Sequence, residues 1–262
     1  MNKMTGSIMM AIMGLALVSC DKQKSLNDSH PTYNESDVDK RPQEPETKNY
    51  LVPGLDHGLL QSPINILSNE TEAGRHSITV NFSDEINQVD NLGHTVQLDI
   101  KEGSTITVDQ KTYEFKQIHF HTPAEHLIDG ITYPMEMHIV NKLIGDETEY
   151  LVFAVHFKMG KENKFISQFL NLIPKNEDQS KEIATGTVKL RNLFGENPRE
   201  EWNSYYNYKG SLTTPPYTES VNWFVVKKIF NASSDQIQKI NLIEGDNARH
   251  IQAEYNRTIN QE

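Results

Sequence analysis

Strand-forming segments follow one another through most of this chain and limit its fold more than any other feature. Runs rich in Val, Ile, Thr, Tyr and Phe recur from residue 78 to residue 228, with turn-forming residues between them. Such side chains suit a pleated, half-buried surface. The pattern predicts a mainly β domain with a central, largely antiparallel, twisted sheet, but it does not give the strand order. The predicted strands are Ile78–Phe82, His94–Ile100, Thr105–Val108, Tyr113–His121, Tyr133–Lys142, Tyr150–Lys158 and Val221–Lys228.

A few helices are predicted at the periphery of this sheet. One runs from about Asn163 to Leu172, where apolar residues recur at helical spacing. Another starts near Ser233, with Gln236 three positions later as in a capping box. Since no internal repeat or second linker interrupts the chain, residues 50–262 are predicted to form a single domain.

Residues 1–19 have the pattern of a bacterial lipoprotein signal peptide. Lys3 supplies a positive start, and the uncharged run Ile8–Val18 that follows is too short to span a bilayer comfortably. The run ends in LVSC, which resembles a lipobox, the signal for cleavage before Cys20 and attachment of a lipid to it. The alternative is a signal cleaved near these small residues, with Cys20 present by chance. The lipoprotein interpretation predicts a protein anchored to the membrane in the bacterial cell envelope, periplasmic or surface-facing.

The segment between the signal and the domain is polar. Residues 20–49 contain few apolar side chains, so they cannot bury enough surface to offset the entropy lost on ordering. They are predicted to be a flexible tether that begins at the lipidated cysteine and holds the domain away from the membrane.

The charge balance and the cysteine count exclude some functions and constraints. The chain has 36 acidic and 25 basic residues, a formal net charge of −11, and no basic patch with interleaved aromatic residues. Nucleic acid is therefore disfavoured as a partner. Because Cys20 is the only cysteine, no internal disulfide can form. Burial, and a metal if one binds, must stabilise the exported fold.

The segment QIHFH contains the residues most indicative of a metal. His119 and His121 lie two apart on a predicted strand, so both side chains point to the same face. The next predicted strand contains His138, and a hairpin would bring it beside the first pair. Three neutral imidazoles leave the fourth position of a tetrahedral zinc ion open for water, as a catalytic site requires.

By itself this histidine pair is weak evidence, because histidines in strands are often only half-buried polar residues. The evidence is strengthened by Gln117 and Glu136, which share a face with the pair and with His138 respectively. Amide and carboxylate groups in these places would orient imidazole ligands. The other histidines lack ligand-like neighbours or lie in the tether, and they are interpreted as structural or exposed: His30, His57, His76, His156 and His250.

Several motifs in a fixed order resemble the α-class carbonic anhydrases. The resemblance extends from about Leu60 to Arg257, and coincidence is a poor explanation for so many ordered motifs. It implies the α-carbonic anhydrase fold and the zinc-dependent, reversible hydration of carbon dioxide to bicarbonate and a proton, by attack of zinc-bound hydroxide. The motifs are QSPINI (Gln61–Ile66), NLGHT (Asn91–Thr95), QIHFHTPAEH (Gln117–His126), EMH (Glu136–His138) and GSLTTPP (Gly210–Pro216).

The resemblance implies a metal site and a buried support for it. The implied zinc ligands are His119, His121 and His138, and Gln117 and Glu136 are implied to be their hydrogen-bonding partners. A buried hydrogen-bond network beneath the site is implied for Ser62, His126 and Tyr208.

The resemblance also implies catalytic residues and a substrate pocket. Thr213 matches the threonine that accepts a hydrogen bond from the hydroxide, and Glu125 matches the carboxylate that accepts one from that threonine. His94 matches the proton shuttle, a task that suits imidazole because its ordinary pKa lies near neutrality. Without the resemblance, His94 would be interpreted as an exposed histidine after a turn glycine. The implied pocket consists of Val140, Val152, Leu212, Thr214 and Trp223.

Some features depart from the family. The aromatic, glycine-rich stretch that usually precedes the QSP motif is missing, and Tyr50–Leu60 stands in its place. Leu92 occupies a position where a polar residue commonly orders water, and Thr122 occupies one where many relatives have tryptophan. None of these departures touches the implied metal ligands.

The main alternative is a catalytically weak relative that serves as a surface binding or adhesion module. Such relatives usually lose a zinc histidine, whereas this chain keeps all three. A cupin-type oxygenase also uses two histidines on a strand, but it needs a carboxylate ligand and does not predict GSLTTPP. The HExxH motif of zincin proteases and the nucleophile elbow of serine hydrolases do not occur.

Overall fold

The computed structural model describes residues 58–81, 86–146, 148–194 and 203–262. The predicted signal peptide, the lipidated Cys20 and the tether all lie outside the described residues. Within the described ranges, no helix is long and apolar enough to cross a membrane.

The described part of the chain consists mainly of strands, with three helices. The helices are α1 (Lys164–Phe169), α2 (Arg191–Phe194) and α3 (Ser234–Glu244). The strands are β1 (Asn65–Ile66), β2 (Glu72–Ala73), β3 (Ile78–Asn81), β4 (Ile86–Asn91), β5 (Val96–Ile100), β6 (Thr105–Val108), β7 (Lys111–His121), β8 (Leu127–Ile128), β9 (Met135–Leu143), β10 (Tyr150–Met159), β11 (Gln179–Glu182), β12 (Tyr205–Gly210), β13 (Val221–Val226), β14 (Phe230–Ala232) and β15 (Asn260–Gln261).

One 13-stranded mixed sheet dominates the fold. Its main path runs β11-β4-β5-β7-β9-β10-β13-β12-β15-β2, while β6 pairs with both β3 and β7, and β14 pairs with β10. The pairs from β11 to β10 are antiparallel, whereas β10 runs parallel to both β13 and β14. The predicted fold, mainly β and largely antiparallel with a few helices, is confirmed.

Strand β12 was not among the predicted strands, because Asn207, Lys209 and Gly210, residue types depleted in strands, interrupt its run of tyrosines. It lies between β13 and β15 and is buried on both sides. Tyr205 packs in the larger apolar cluster, and Tyr206 and Tyr208 pack in the smaller one.

Helix α3 begins at its predicted capping box, and helix α1 ends earlier than predicted. In the predicted capping box of α3, Gln236 N donates to Ser233 Oγ at 3.2 Å and Ser233 N donates to Gln236 Oε1 at 3.0 Å. Helix α1 ends at Phe169 rather than continuing to Leu172, because the Leu172 amide closes a turn onto the Phe169 carbonyl.

The central strands β7, β9, β10 and β13 present two different faces. On one side Ile118, Ile139, Phe153 and Phe224 belong to a large apolar cluster, and we call this side the hydrocarbon face. On the other side the alternate residues include His119, His138 and a smaller apolar cluster around Trp223, and we call it the histidine face.

A β-bulge in β7 decides which residues reach the histidine face. Phe115 lies opposite Asn141, but Gln117 lies opposite Val140, so Lys116 is the extra residue. Phe115 therefore belongs to the hydrocarbon face and Gln117 to the histidine face, although simple alternation would place both on one side.

Candidate metal centre

Three histidines converge on the histidine face. His119 and His121 end strand β7, and His138 lies opposite His119 on β9. The centroid of the His119 ring lies 5.0 Å from the centroids of the His121 and His138 rings. The centroids of the His121 and His138 rings are 4.6 Å apart. One nitrogen of each ring lies within 4.8 Å of the others, a spacing at which all three could hold one ion.

Hydrogen bonds orient two of these rings. His119 Nδ1 lies 2.9 Å from Gln117 Oε1, and His138 Nε2 lies 2.8 Å from Glu136 Oε1. The remaining nitrogens, His119 Nε2 and His138 Nδ1, face each other at 3.2 Å. His121 Nε2 is buried and has no hydrogen-bond partner among the described residues. A cation would satisfy all three nitrogens.

The electrostatics of the site favour neutral imidazoles. Burial lowers the pKa of His121 to about 4 and lowers the pKa values of His119 and His138 as well. Repulsion from the other two rings lowers the pKa of His119 further, whereas Glu136 opposes the shift at all three histidines. Neutral imidazole is the form that binds a metal. Three neutral nitrogen donors with oriented rings fit a zinc ion.

A single carboxylate supports the site from below. Burial alone would raise the pKa of Glu136, but His126, His156 and the bond to His138 hold it well below its usual range. Glu136 Oε2 accepts the Glu125 and His126 amides, both at 2.8 Å, and Oε1 lies 2.7 Å from His126 Nδ1. Glu136 is therefore a buried anion whose charge is shared among several donors.

The network continues from His126 away from the metal site. His126 Nε2 lies 2.7 Å from the Tyr208 hydroxyl, which donates to Ser62 Oγ at 2.9 Å. Gly210 lies against this network, because an added Cβ would overlap Ser62 Oγ. The three residues that the resemblance assigns to a buried network therefore lie in one hydrogen-bonded series.

Glu125 lies beside the histidines. Its Oε2 is 3.6 Å from His121 Nε2 and 3.9 Å from His138 Nε2, and its Oε1 accepts the Arg249 amide at 2.9 Å. Burial raises the pKa of Glu125 to about 7, while His138, the Arg249 amide and the Thr213 hydroxyl oppose that rise. Thr213 is buried, and Thr214 beside it is exposed.

Apolar side chains line the sheet next to the histidines. One row of paired residues crosses four successive strands, so its side chains share the histidine face. The row consists of Gln117 and the apolar residues Val140, Val152 and Trp223. The Trp223 ring centroid lies 4.9 Å from that of His138. Leu212 packs against the same cluster. Four of the five predicted pocket residues, the apolar ones, therefore lie in this cluster beside the histidines, and the fifth, Thr214, is exposed.

His94 lies in the turn between β4 and β5 and is exposed. A charge on it is close enough to contribute to the lowered pKa of His119. Its carbonyl accepts a hydrogen bond from Asn247 Nδ2 at 2.9 Å. The predicted shuttle residue is therefore exposed and lies within electrostatic range of His119.

Three functional neighbours were not predicted from the sequence: Asn247, Arg249 and His156. Arg249 is buried, lies 3.8 Å above the Tyr217 ring and donates to the Ser62 carbonyl at 2.7 Å. No local signal identifies it or Asn247. His156 lies opposite Glu136 on β10, 3.5 Å from its carboxylate, and strand alternation could have placed it there.

The fold and the donor set together define a β-sheet protein with three histidines that could hold a metal ion. The model of the family "Eukaryotic-type carbonic anhydrase" matches residues 48–262. A carbonic anhydrase of Neisseria gonorrhoeae is 38% identical over 201 residues, which cover 74% of each chain.

Solved structures agree with the sequence relatives. The α-carbonic anhydrase of Photobacterium profundum is 34% identical, with a TM-score of 0.70 over 78% of this chain and 90% of that one. Dioscorin complexed with ascorbate is also similar, at 26% identity and a TM-score of 0.68, over 78% of this chain and 85% of that one. This chain belongs to the α-class, or eukaryotic-type, carbonic anhydrase family, whose enzymes hydrate carbon dioxide.

Proposed function

We propose that this chain catalyses the zinc-dependent, reversible hydration of carbon dioxide to bicarbonate and a proton. The observation that carries the proposal is the convergence of three neutral imidazoles, two of which, His119 and His138, are oriented by Gln117 and Glu136. His119 Nε2, His121 Nε2 and His138 Nδ1 would hold the ion. Bound there, zinc would lower the pKa of a water molecule and supply hydroxide, a chemistry for which carbonic anhydrases are the standard example.

Glu125 and Thr213 would orient the nucleophile. The Thr213 hydroxyl interacts with the Glu125 carboxylate, and the Arg249 amide donates to Oε1 of the same carboxylate at 2.9 Å. A hydroxyl that donates to a fixed carboxylate can only accept from the reacting group on its other side. The pair would therefore select one orientation of the nucleophile and favour hydroxide, which can donate a hydrogen bond to Thr213, over anions that carry no hydrogen.

The apolar wall would hold carbon dioxide and exclude water from it. Val152 and Trp223 are each only 2% exposed, and Val140 and Leu212 complete the surface. Carbon dioxide has no net dipole and gains little from polar contacts, so a dry wall beside the histidines suits it.

His94 would move the product proton to solvent. It is exposed, and the contribution of its charge to the lowered pKa of His119 supports this role. An imidazole there can take a proton from the site and release it to a buffer molecule near neutral pH.

The test is stopped-flow carbon dioxide hydration with the protein before and after zinc removal, together with zinc content by mass spectrometry. We expect His119→Ala to lose bound zinc and to fall to the uncatalysed rate. His76→Ala is the matched control, because the His76 ring packs against Phe224 on the hydrocarbon face. A zinc-loaded wild type no faster than buffer would overturn the proposal and favour a binding module.

We propose in addition that the enzyme is exported and held at a membrane of the cell envelope by a lipid on Cys20. The support is the sequence of residues 1–49, which lie outside the described residues. In a bacterial host that processes lipoproteins, wild-type protein should fractionate with membranes, and its mature N-terminus should carry the mass of a lipid. Cys20→Ser should release it into the soluble fraction, and membrane retention of this variant would contradict the proposal.

A further inference from the structure

Asn247 joins the turn that carries His94 to the strand that carries the metal-site histidines. Its Nδ2 donates to the His94 carbonyl at 2.9 Å and to the Phe120 carbonyl at 3.0 Å. Its Oδ1 accepts the Thr122 amide at 3.0 Å, and its own amide donates to the Thr122 carbonyl at 3.2 Å. Asn247 therefore contacts the backbone on both sides of His121 and the backbone of His94, and it also interacts with His121 itself.

The sheet itself does not hold this turn against β7. The ladder between β5 and β7 contains three pairs: Gln97 with His119, Leu98 with Ile118 and Asp99 with Gln117. On the side of the His94 turn, the ladder ends at the pair of Gln97 and His119. Before Gln97, the bond from Thr95 Oγ1 to the Phe120 carbonyl at 2.8 Å and the two bonds of Asn247 Nδ2 connect the segments. The β4–β5 hairpin, closed by the Leu92 amide on the Thr95 carbonyl at 3.0 Å, places the turn near β7, and these side-chain contacts connect the turn directly to β7.

Asn247 is itself well anchored. It follows helix α3, whose Ile237 and Ile240 are packed in the large apolar cluster. At the end of this helix, Glu244 accepts the Thr122 hydroxyl at 2.9 Å and the Val96 amide at 3.3 Å. The helix end therefore provides a rigid support from which Asn247 reaches both segments.

We propose that Asn247 is a positioning residue for proton transfer, which sets the distance between His94 and the three-histidine site. This inference rests on the proposed function. Proton transfer depends steeply on the separation of donor and acceptor, so a loosened turn should slow the proton step and leave the steps at the apolar wall unchanged.

The experiment compares Asn247→Ala with wild type in the zinc-loaded full-length protein. We expect kcat at low buffer to fall about tenfold, within the ~100-fold that a misplacement of about 1 Å can cost. We expect kcat/KM to change by less than about twofold, because it reports the steps before proton release. A high concentration of a dimethylimidazole buffer, which accepts the proton directly, should restore kcat.

Asn241→Ala is the matched control. Asn241 also lies near the end of α3 and donates to Thr122 Oγ1 at 3.1 Å, but it does not contact the His94 turn. If it lowered kcat at low buffer as much as Asn247→Ala, general loosening of the helix end would explain the effect and the inference would be overturned. Should Asn247→Ala fail to fold, Asn247→Asp keeps the Oδ1 acceptor and removes both donors.

A measurement without metal separates this inference from the proposed function. Amide hydrogen exchange of residues 93–96 in the metal-free protein should become faster in the Asn247 variants and stay at the wild-type rate in Asn241→Ala. If wild type is inactive, the proposed function fails, and faster exchange still supports the positioning contact. Parallel falls in kcat and kcat/KM, or unchanged exchange, would overturn the inference.

Discussion

The two faces of the central strands differ in chemistry although they are built from alternate residues of the same segments. On β9, Met135, Met137 and Ile139 point to the hydrocarbon face, and Glu136 and His138 point to the histidine face. Both faces are buried. The two faces therefore differ in what stabilises their buried groups. Close packing is enough for a hydrocarbon side chain, whereas a buried charge needs several hydrogen-bond donors.

The comparison shows why the polar face is tolerated. Two buried carboxylates illustrate it: Glu136 accepts two backbone amides, contacts the His126 and His138 rings and has a lowered pKa, while burial raises the pKa of Glu244 well above its usual value. Glu244 accepts the Thr122 hydroxyl and the Val96 amide, both neutral donors. Burial costs the same kind of free energy at both places, and the donors decide whether the charge survives.

The largest expected effect comes from removing a side chain from the hydrocarbon face. Phe153→Ala should lower the free energy of unfolding by about 3–5 kcal/mol, the usual cost of a large cavity. Val152→Ala, one residue away on the histidine face, removes two carbons at about 0.8 kcal/mol each and should chiefly lower activity. Urea unfolding measures the free energy of unfolding of both variants, and zinc content shows whether each still binds the metal. Loss of zinc affinity in Phe153→Ala alone would break the comparison.

A smaller effect is expected from neutralising the carboxylate beneath the histidine face. Glu136→Gln keeps the size of the side chain but removes the charge that orients His138, so zinc affinity should fall about 10- to 100-fold. Met137→Leu, the next residue on the hydrocarbon face, should leave the affinity unchanged. Competition with a chromogenic chelator measures both, and equal affinities for the two variants would contradict the assigned difference.

The smallest effect concerns the second buried carboxylate. Because the folded pKa of Glu244 is raised, the folded state binds the proton more tightly than the unfolded state. Its contribution to stability is complete below the unfolded pKa and is lost as pH rises towards the folded pKa. Glu244→Gln should therefore gain stability over wild type as pH rises above about 4.5, by at most about 1.4 kcal/mol per pH unit.

This difference is measured by urea unfolding of the two metal-free proteins at a series of pH values. Titration of the metal-site histidines cancels in the comparison because both proteins contain them. A stability difference that is constant with pH would mean that Glu244 is ionised in the folded protein, and it would remove the contrast with Glu136.

Much of the candidate site could be predicted because it depends on local rules. Alternation along a strand brings His119 and His121 to one face, and the capping box at Ser233 involves residues three apart. The ordered motifs identified the family, which the comparisons confirmed over residues 48–262. The ligand and shuttle roles remain predictions for the experiments above.

Only the tertiary structure decided how these local pieces meet. The bulge at Lys116 places Phe115 and Gln117 on opposite faces, and no residue in that segment predicts it. Asn247 reaches His94 across 153 positions of sequence, and Arg249 reaches Ser62 across 187. Periodicity and capping are properties of a short stretch of chain, whereas these contacts exist only when the topology of the whole sheet has brought distant segments together.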